Sequence, residues 1–154
     1  MKPSSIAVEE LLPHAGNMVL IDRLDSVTDS GALASVSADN RGLFSRAPAV
    51  PAWVGIEYMA QTIAAWAGFN ARQQGEAPRL GLLIGSRNYQ SHVECFADGQ
   101  PLQVQVERVF QDANGMASFD ASIHDADGAL LVSANLNVFQ PGDEQMKQMM
   151  ENDT

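Results

Sequence analysis

The sequence contains a single cysteine, Cys95, so no disulfide can form within the chain. A lone cysteine fits a reducing compartment, because structural disulfides belong to oxidising ones. Basic residues are also few: nine Lys and Arg stand against nineteen Asp and Glu, which gives a formal net charge of −10. Nucleic-acid binding relies on Lys and Arg, so this balance argues against a nucleic-acid partner. It does not exclude an acidic carrier protein, since nine basic residues can still form one local patch.

Targeting and membrane segments are not evident either. Residues 1–12 contain one lysine and no long apolar run, so neither a signal peptide nor a membrane anchor is expected. The longest apolar stretch, residues 51–69, is interrupted by Glu57, Gln61 and Thr62 and is slightly short for a membrane span. We therefore expect a cytoplasmic protein with no membrane partner.

Motifs for common cofactors are missing as well. The three histidines, His14, His92 and His124, are too scattered for a metal-ligand pattern. The sequence has no phosphate-binding P-loop, no dinucleotide-binding glycine fingerprint and no Gly-x-Ser-x-Gly nucleophile turn. Residues 81–85 contain two glycines, but they are predicted to form a strand and not a phosphate-binding loop. No metal or redox cofactor is therefore expected.

The composition is that of one globular domain. With 154 residues, 45% of them hydrophobic, the chain can bury a sizeable core. Only 18% of the residues are charged, and such a surface is often partly covered in an oligomer. We expect one domain over residues 1–141, followed by a polar, methionine-rich tail over residues 142–154.

The apolar segment in the middle of the chain predicts a buried helix from Trp53 to about Gln73. This segment has no proline, and hydrophobic side chains nearly encircle it: Val54, Ile56, Met59, Ala60, Ile63, Ala64, Ala65, Trp66 and Phe69. A helix that is apolar on nearly all sides must be covered by other elements. Gly75 and Pro78 are predicted to end it.

The rest of the chain predicts strands and turns, after a short helix over residues 4–12 that Ser4 or Ser5 caps and Pro13 ends. Residues 18–21 and 32–38 are predicted as strands, residues 40–51 as a loop, and residues 80–95 as a further strand region. Apolar and polar residues then alternate over 102–107, 117–123 and 130–138, with hairpin signals at residues 114–115 and 127–128. These three strands predict an antiparallel meander. The expected architecture is α+β: about five strands curled around one long helix.

Glu57 is the first candidate for chemistry, because a carboxylate in an apolar helix needs a partner or a purpose. Burial raises the pKa of a carboxyl, while the helix N-terminus favours its charged form. Gln61 lies one turn later and could orient Glu57 by a hydrogen bond. The alternative is that Glu57 simply reaches solvent at the start of the helix.

His14 is the second candidate. It lies between Pro13 and Gly16, ahead of a predicted strand, and could act as a general base or acid. The alternative is a surface histidine or one that caps a local turn. His92 and His124 fit ordinary strand and turn positions better than catalytic ones.

Two segments of the sequence resemble bacterial 3-hydroxyacyl-acyl-carrier-protein dehydratases. The first is Leu12-Pro13-His14 followed by the apolar run and Asp22-Arg23-Leu24. The second runs from Pro48 through Pro51 and Glu57 to Met59-Ala60-Gln61, and is similar to the family's central-helix motif. The likeness extends from about residue 12 to residue 139, and the overall pattern is closest to the subgroup found with aryl-polyene and related polyketide clusters.

The resemblance implies a hot-dog fold and a dimer with active sites at the subunit interface. It implies a substrate carried on phosphopantetheine, an acyl carrier protein as partner, and loss of water across C2 and C3. On this reading His14 is the base and Glu57 the acid, Gln61 orients Glu57, and a backbone N–H near Gly55 polarises the thioester carbonyl. An apolar groove beside the helix would hold the acyl chain.

The sequence departs from the family at one important position. The family's catalytic histidine lies in a loop ahead of the two prolines, and here that position falls on Leu43, next to Phe44. Both residues are expected to contact substrate, but neither can replace the missing base. Three hypotheses follow: a dehydratase that uses His14, a non-catalytic hot-dog subunit that completes a partner dehydratase in a heterodimer, and an acyl thioesterase in which Glu57 activates water.

Overall fold

A long helix packs against one face of an antiparallel sheet in the computed structural model of the chain, which describes residues 2–3, 7–12, 19–39, 49–76 and 81–140. The helices are α1 (Val8–Leu11), a 3-10 turn (Ala52–Val54) and α2 (Gly55–Gln73). The strands are β1 (Lys2–Pro3), β2 (Arg23–Val27), β3 (Gly31–Ser37), β4 (Ala49–Pro51), β5 (Leu82–Ser91), β6 (Cys95–Ala97), β7 (Pro101–Gln111), β8 (Met116–Asp125) and β9 (Leu130–Phe139). This is the α+β hot-dog architecture that the sequence predicts.

The main sheet has the strand order β1-β2-β3-β7-β8-β9-β5, and all its pairs are antiparallel. Strands β7, β8 and β9 form the predicted meander, and its turns contain Gly115 and Gly128 at positive φ. The strand β5 forms one edge of the sheet. The short strands β4 and β6 pair separately, next to the start of α2.

The core lies between α2 and the facing side of the sheet. Along β7 the side chains of Leu102, Val104 and Val106 are buried, while the intervening residues are exposed. The aromatic side chains Tyr58, Trp66 and Phe69 of α2 fill this space. The alternation of apolar and polar residues along the strands and the single apolar helix therefore determine how the sheet and α2 face each other.

The central helix ends at Gln73 as the sequence predicts, but it begins at Gly55, two residues after the predicted start at Trp53. The 3-10 turn follows Pro51 directly and leads into α2 at Gly55. At the other end, Gly75 has a φ of 76°, and the N–H groups of Gly75 and Glu76 donate to the carbonyls of Arg72 and Ala71. This Schellman arrangement requires a left-handed residue, which explains the glycine.

Three predictions near the N-terminus and the loop were wrong. The predicted strand over residues 18–21 is displaced: residues 19–22 are not in a strand, because the N–H of Leu20 donates to a helix side chain instead of a neighbouring strand. Ala7, and not Ser4 or Ser5, precedes α1, and it makes no side-chain capping bond. The predicted loop over 40–51 includes the strand β4, which pairs with β6.

Parts of the prediction lie outside the described residues, among them Pro13, Pro78 and the tail over residues 142–154. Within the ranges that the structure describes, no helix is both long and apolar enough to cross a membrane. In those same ranges, no group of three or more His, Cys, Asp or Glu side chains is arranged to hold a metal ion.

Candidate functional site

A cavity of about 490 Å³ lies beside α2, between the helix and the end of the sheet where the β7–β8 turn projects. One wall is a row of small helix residues, Ala60, Ala64 and Ala67. The opposite wall comes from β5, β8 and β9, and the turn closes one side; these residues are Leu83, Ala117, Phe119, Val138, Gly115 and Asn114. An apolar space with a few polar groups is typical of a small-molecule site.

Glu57 lines this cavity from the first turn of α2. Its side chain is half-buried. Residues 57, 60, 64 and 67 are three or four positions apart and share one helix face. The carboxyl group is therefore at the N-terminal end of the apolar helix wall.

Gln61 is completely buried and holds Glu57 in place. Its Oε1 accepts a hydrogen bond of 2.8 Å from the backbone N–H of Leu20, and its Nε2 donates to Oε1 of Glu57 over 3.1 Å. Because the N–H of Leu20 can only donate, it fixes which end of the amide faces Glu57. The predicted pairing of Gln61 with Glu57 is thus present, and a chain segment 41 residues away orients it.

This arrangement suits a carboxyl group that exchanges one proton. The Nε2 group of Gln61 donates to Oε1 of Glu57 and so orients the carboxyl group. A carboxyl group that is held by an oriented donor stays in one side-chain conformation, so it does not have to be repositioned before it reacts. The site can therefore present a positioned general acid to a molecule in the cavity.

Gly55 is buried beneath this site. A Cβ on Gly55 would lie 2.8 Å from Cδ1 of Ile123, so the close packing of the helix start on the sheet favours glycine. The N–H of Gly55 donates within the 3-10 turn to the carbonyl of Ala52. Polarising a thioester carbonyl would require this N–H to share that bond, and the role predicted for it stays a prediction.

The other predicted site residues, His14, Leu43 and Phe44, lie outside the described residues. The structure brings Glu57 and Gln61 together and places Gly55 directly before them in the helix. The two remaining histidines do not line the cavity: His92 is exposed after the strand β5, and His124 is half-buried on β8.

Arg108 is a residue that the sequence reasoning missed. It lines the same cavity as Glu57, and its guanidinium carbon lies 5.3 Å from the centroid of the Trp66 ring. A signal was present in the sequence: Arg108 continues the alternation of Leu102, Val104 and Val106, so it faces the helix. A cation at an inward position of an otherwise apolar strand indicates a function or a partner.

Comparisons with known proteins agree with this geometry. Residues 6–151 match the family model described as ApeP-like, ApeP dehydratase. The dehydratase heterocomplex ApeI:P from Xenorhabdus doucetiae contains a chain of 30% identity with a TM-score of 0.85, over 96% of this chain and 99% of that one. No curated protein sequence matches the chain.

More distant structures share the fold alone. A hypothetical thioesterase from Streptococcus pneumoniae, solved with coenzyme A, is 13% identical with a TM-score of 0.60, over 78% of this chain and 85% of that one. The protein AziG of S. sahachiroi is 14% identical with a TM-score of 0.62, over 85% and 98%.

Proposed function

Because this chain belongs to the ApeP-like dehydratase family, we propose that it removes water across C2 and C3 of a 3-hydroxyacyl thioester in polyketide, aryl-polyene or fatty-acid synthesis. The observation that carries the proposal is Glu57, held by Gln61 at one end of an apolar cavity. The reaction needs an acid beside the reacting carbons and an apolar space that holds the hydrocarbon chain. The metal-free chemistry of an acidic Cα–H beside a thioester needs only a base and an acid.

The reaction can be written with each proton assigned. A base removes the proton from C2, which the adjoining thioester carbonyl makes acidic, and the electron pair forms the C2–C3 double bond. The C3–O bond breaks as the carboxyl group of Glu57 donates its proton to the departing hydroxyl, and water leaves. The product is a 2-enoyl thioester, and Glu57 remains as a carboxylate that must regain a proton before the next cycle.

His14 is our candidate for the base, on the strength of its position in the matching Leu-Pro-His motif. Gln61 is a positioning residue in this scheme, since it acts through Glu57 and not on the substrate. The acyl chain would extend along Ala60, Ala64 and Ala67, whose small side chains leave room for it. The substrate would arrive on the phosphopantetheine arm of an acyl carrier protein.

A second candidate function is that of a subunit in a mixed dehydratase. Two observations favour it: Leu43 stands where the family has its catalytic histidine, and the similar structure from Xenorhabdus doucetiae is a heterocomplex. In a mixed dimer, Glu57 could act with a histidine of the partner subunit. The thioesterase alternative rests only on fold likeness below 25% identity, and nothing further favours it.

The test offers the purified protein a 3-hydroxyacyl pantetheine thioester and follows two products together. Enoyl thioester is measured by its absorbance, and free thiol by a thiol reagent. The dehydratase proposal expects enoyl thioester without thiol release, from this chain alone or when mixed with a second hot-dog subunit of its cluster. Thiol release without enoyl product would assign the chain to the thioesterases and overturn the proposal.

A further inference from the structure

We propose that the exposed indole of Trp53 binds the pantetheine arm that carries the substrate, at the N-terminal end of α2. The proposal deepens the proposed function and rests on it in one respect, because it takes the cavity beside α2 as the site of the acyl chain. It assigns a residue outside that cavity to the carrier part of the substrate.

The first support is the exposure of Trp53. With 61% of its surface accessible, it is the most exposed large hydrophobic side chain in the part of the chain that the structure describes. Its neighbours Ala52 and Val54 are buried, so the 3-10 turn is packed while the indole projects from it. Because an indole has a large apolar area, a ligand that covers it gains binding energy from the burial.

The second support is the rigidity of the turn that holds Trp53. The N–H of Ala52 donates to the carbonyl of Glu94 over 3.0 Å. The carbonyl of Ala52 accepts from the N–H of Gly55 and from the hydroxyl of Tyr89, the latter over 3.3 Å. A surface that is fixed before a ligand arrives loses little conformational entropy on binding, so this turn presents a preorganised indole.

The third support is the position of Trp53 relative to Glu57. Trp53 precedes Glu57 by four residues, about one helical turn, and residues four apart share one side of a helix. The same side continues into the cavity wall that Ala60, Ala64 and Ala67 form. Trp53 therefore extends the line of this wall by one turn beyond the carboxyl group.

The direction of the substrate follows from this line of residues. The acyl chain runs from Glu57 toward the C-terminal end of α2, because the apolar wall lies on that side. C2 and C3 lie beside Glu57, and the thioester sulfur is at the end of the acyl group opposite the hydrocarbon. The pantetheine arm therefore leaves past the start of α2, where Trp53 lies.

The chemistry of the arm also fits an indole. Between its thiol and its phosphate, the arm is an uncharged chain with two flat amide groups and a dimethyl carbon, all of which can pack on an aromatic face. Residues 49–54 and 93–97, which contain the β4–β6 pair and the turn, include no Lys or Arg. The nucleotide phosphates of coenzyme A would find no cation on these segments, so we favour the arm of an acyl carrier protein.

The test measures binding by calorimetry with two thioether ligands that can be neither dehydrated nor hydrolysed. S-octyl pantetheine has the whole arm, whereas S-octyl N-acetylcysteamine has the same octyl chain and sulfur but lacks the pantoyl and β-alanyl groups. The wild type should bind the pantetheine ligand about tenfold more tightly. Trp53→Ala should remove most of this difference without weakening the N-acetylcysteamine ligand, and Trp53→Phe should keep part of it.

Phe110→Ala is the matched control, since Phe110 is exposed to a similar degree, 57%, but lies on β7 and does not line the cavity; it should keep the wild-type difference. Equal binding of the two ligands to the wild type overturns the proposal without any variant. A difference that survives in Trp53→Ala also overturns it. So does an equal loss for both ligands, because Trp53 would then only shape the cavity. Much tighter binding of S-octyl coenzyme A than of S-octyl pantetheine would overturn the choice of carrier.

A partner subunit is the alternative cover for the indole, and fluorine NMR separates it from the arm. The chain has two tryptophans, so labelling with 5-fluorotryptophan gives two resonances, and Trp53→Phe identifies the one from Trp53. This resonance should show a solvent isotope shift in the unliganded protein and lose it when S-octyl pantetheine binds. A Trp53 resonance that is shielded from solvent without any ligand would overturn the proposal.

Failure of the proposal and failure of the proposed function are distinguishable. These ligands bind without turnover, so the preference for the arm can be present in a subunit that dehydrates nothing. Conversely, dehydration with equal binding of the two ligands leaves the proposed function intact and removes Trp53 from carrier recognition.

Discussion

At the scale of single residues, Gln61 determines the geometry of the candidate site. Its amide satisfies two groups at once, the N–H of Leu20 and Oε1 of Glu57, and it is completely shielded from water. A buried amide of this kind is costly to remove, because the groups that it leaves behind have no water to replace it.

Replacement of Gln61 by methionine, which has a similar size and no hydrogen-bonding amide, should destabilise the protein by roughly 1–3 kcal/mol, since the N–H of Leu20 loses its acceptor. The variant should also lower kcat with little change in KM, because Glu57 loses its oriented donor. Urea unfolding and steady-state kinetics measure the two effects. Thr62→Val is the control: Thr62 is equally buried, but its hydroxyl donates only to the carbonyl of Tyr58 in its own helix. A Gln61→Met protein with the kcat of the wild type would exclude a positioning role.

At the scale of elements, α1 and α2 meet at a glycine. A Cβ on Gly68 would lie 2.0 Å from the carbonyl oxygen of Leu11, so the backbone of α1 rests directly on α2. This contact fixes the position of the short helix against α2.

Gly68→Ala should therefore destabilise the protein by about 1–3 kcal/mol, the usual cost of overpacking, even though alanine favours a helix by about 1 kcal/mol over glycine. Gly55→Ala should cost less, because its new methyl group would clash with the terminal methyl of Ile123, which can shift, and would meet the ring of Phe96 only at 3.4 Å. Denaturant unfolding of both variants tests this order. Equal stability of Gly68→Ala and wild type would show that α1 does not rest on α2 in solution.

The elements also show how much of the fold and of the candidate site can be predicted from the sequence. The helix α2 and the meander were predictable, because period and turn chemistry are local signals. The pairing of β4 with β6 was not, because three-residue strands carry too little pattern. Likewise the bond between Gln61 and Glu57 follows from helix spacing, but the bond from Leu20 to Gln61 joins residues 41 positions apart. The position of β2 was misjudged because its outward residues, Arg23 and Asp25, look like a loop.

At the scale of the whole molecule, the strand β5 is an edge of the sheet, and no described strand pairs with its outer side. Three large apolar side chains on this strand, Leu83, Ile84 and Tyr89, are exposed. Open apolar edges tend to be covered by pairing with another chain, which agrees with the dimer that the family resemblance implies.

We expect a dimer at micromolar concentration in sedimentation velocity. Ile84→Lys, which places a charge on the edge strand, should shift the protein toward monomer. Val109→Lys is the control, because Val109 is exposed to a similar degree, 56% against 58%, but lies on the interior strand β7. A wild-type monomer, or equal dissociation by both variants, would contradict pairing along β5.

The dimer also bears on the missing base. If His14 is the base, the homodimer alone should dehydrate a 3-hydroxyacyl thioester, and His14→Ala should abolish the activity. If a partner subunit supplies the base, the homodimer should be nearly inactive, and addition of that subunit should restore turnover. An active His14→Ala homodimer would exclude both versions.

The central claim is that Glu57 is the acid of this site, and Glu57→Gln tests it most directly. Glutamine keeps the shape of the side chain and an oxygen that can accept from Gln61, but it has no acidic proton to transfer to a leaving hydroxyl. The measurement is the rate of enoyl-thioester formation in whichever assembly is active, with thermal unfolding as the check on folding. We predict a fall in turnover of about a hundredfold or more, with stability unchanged or raised. Undiminished turnover in a folded Glu57→Gln protein would contradict the account.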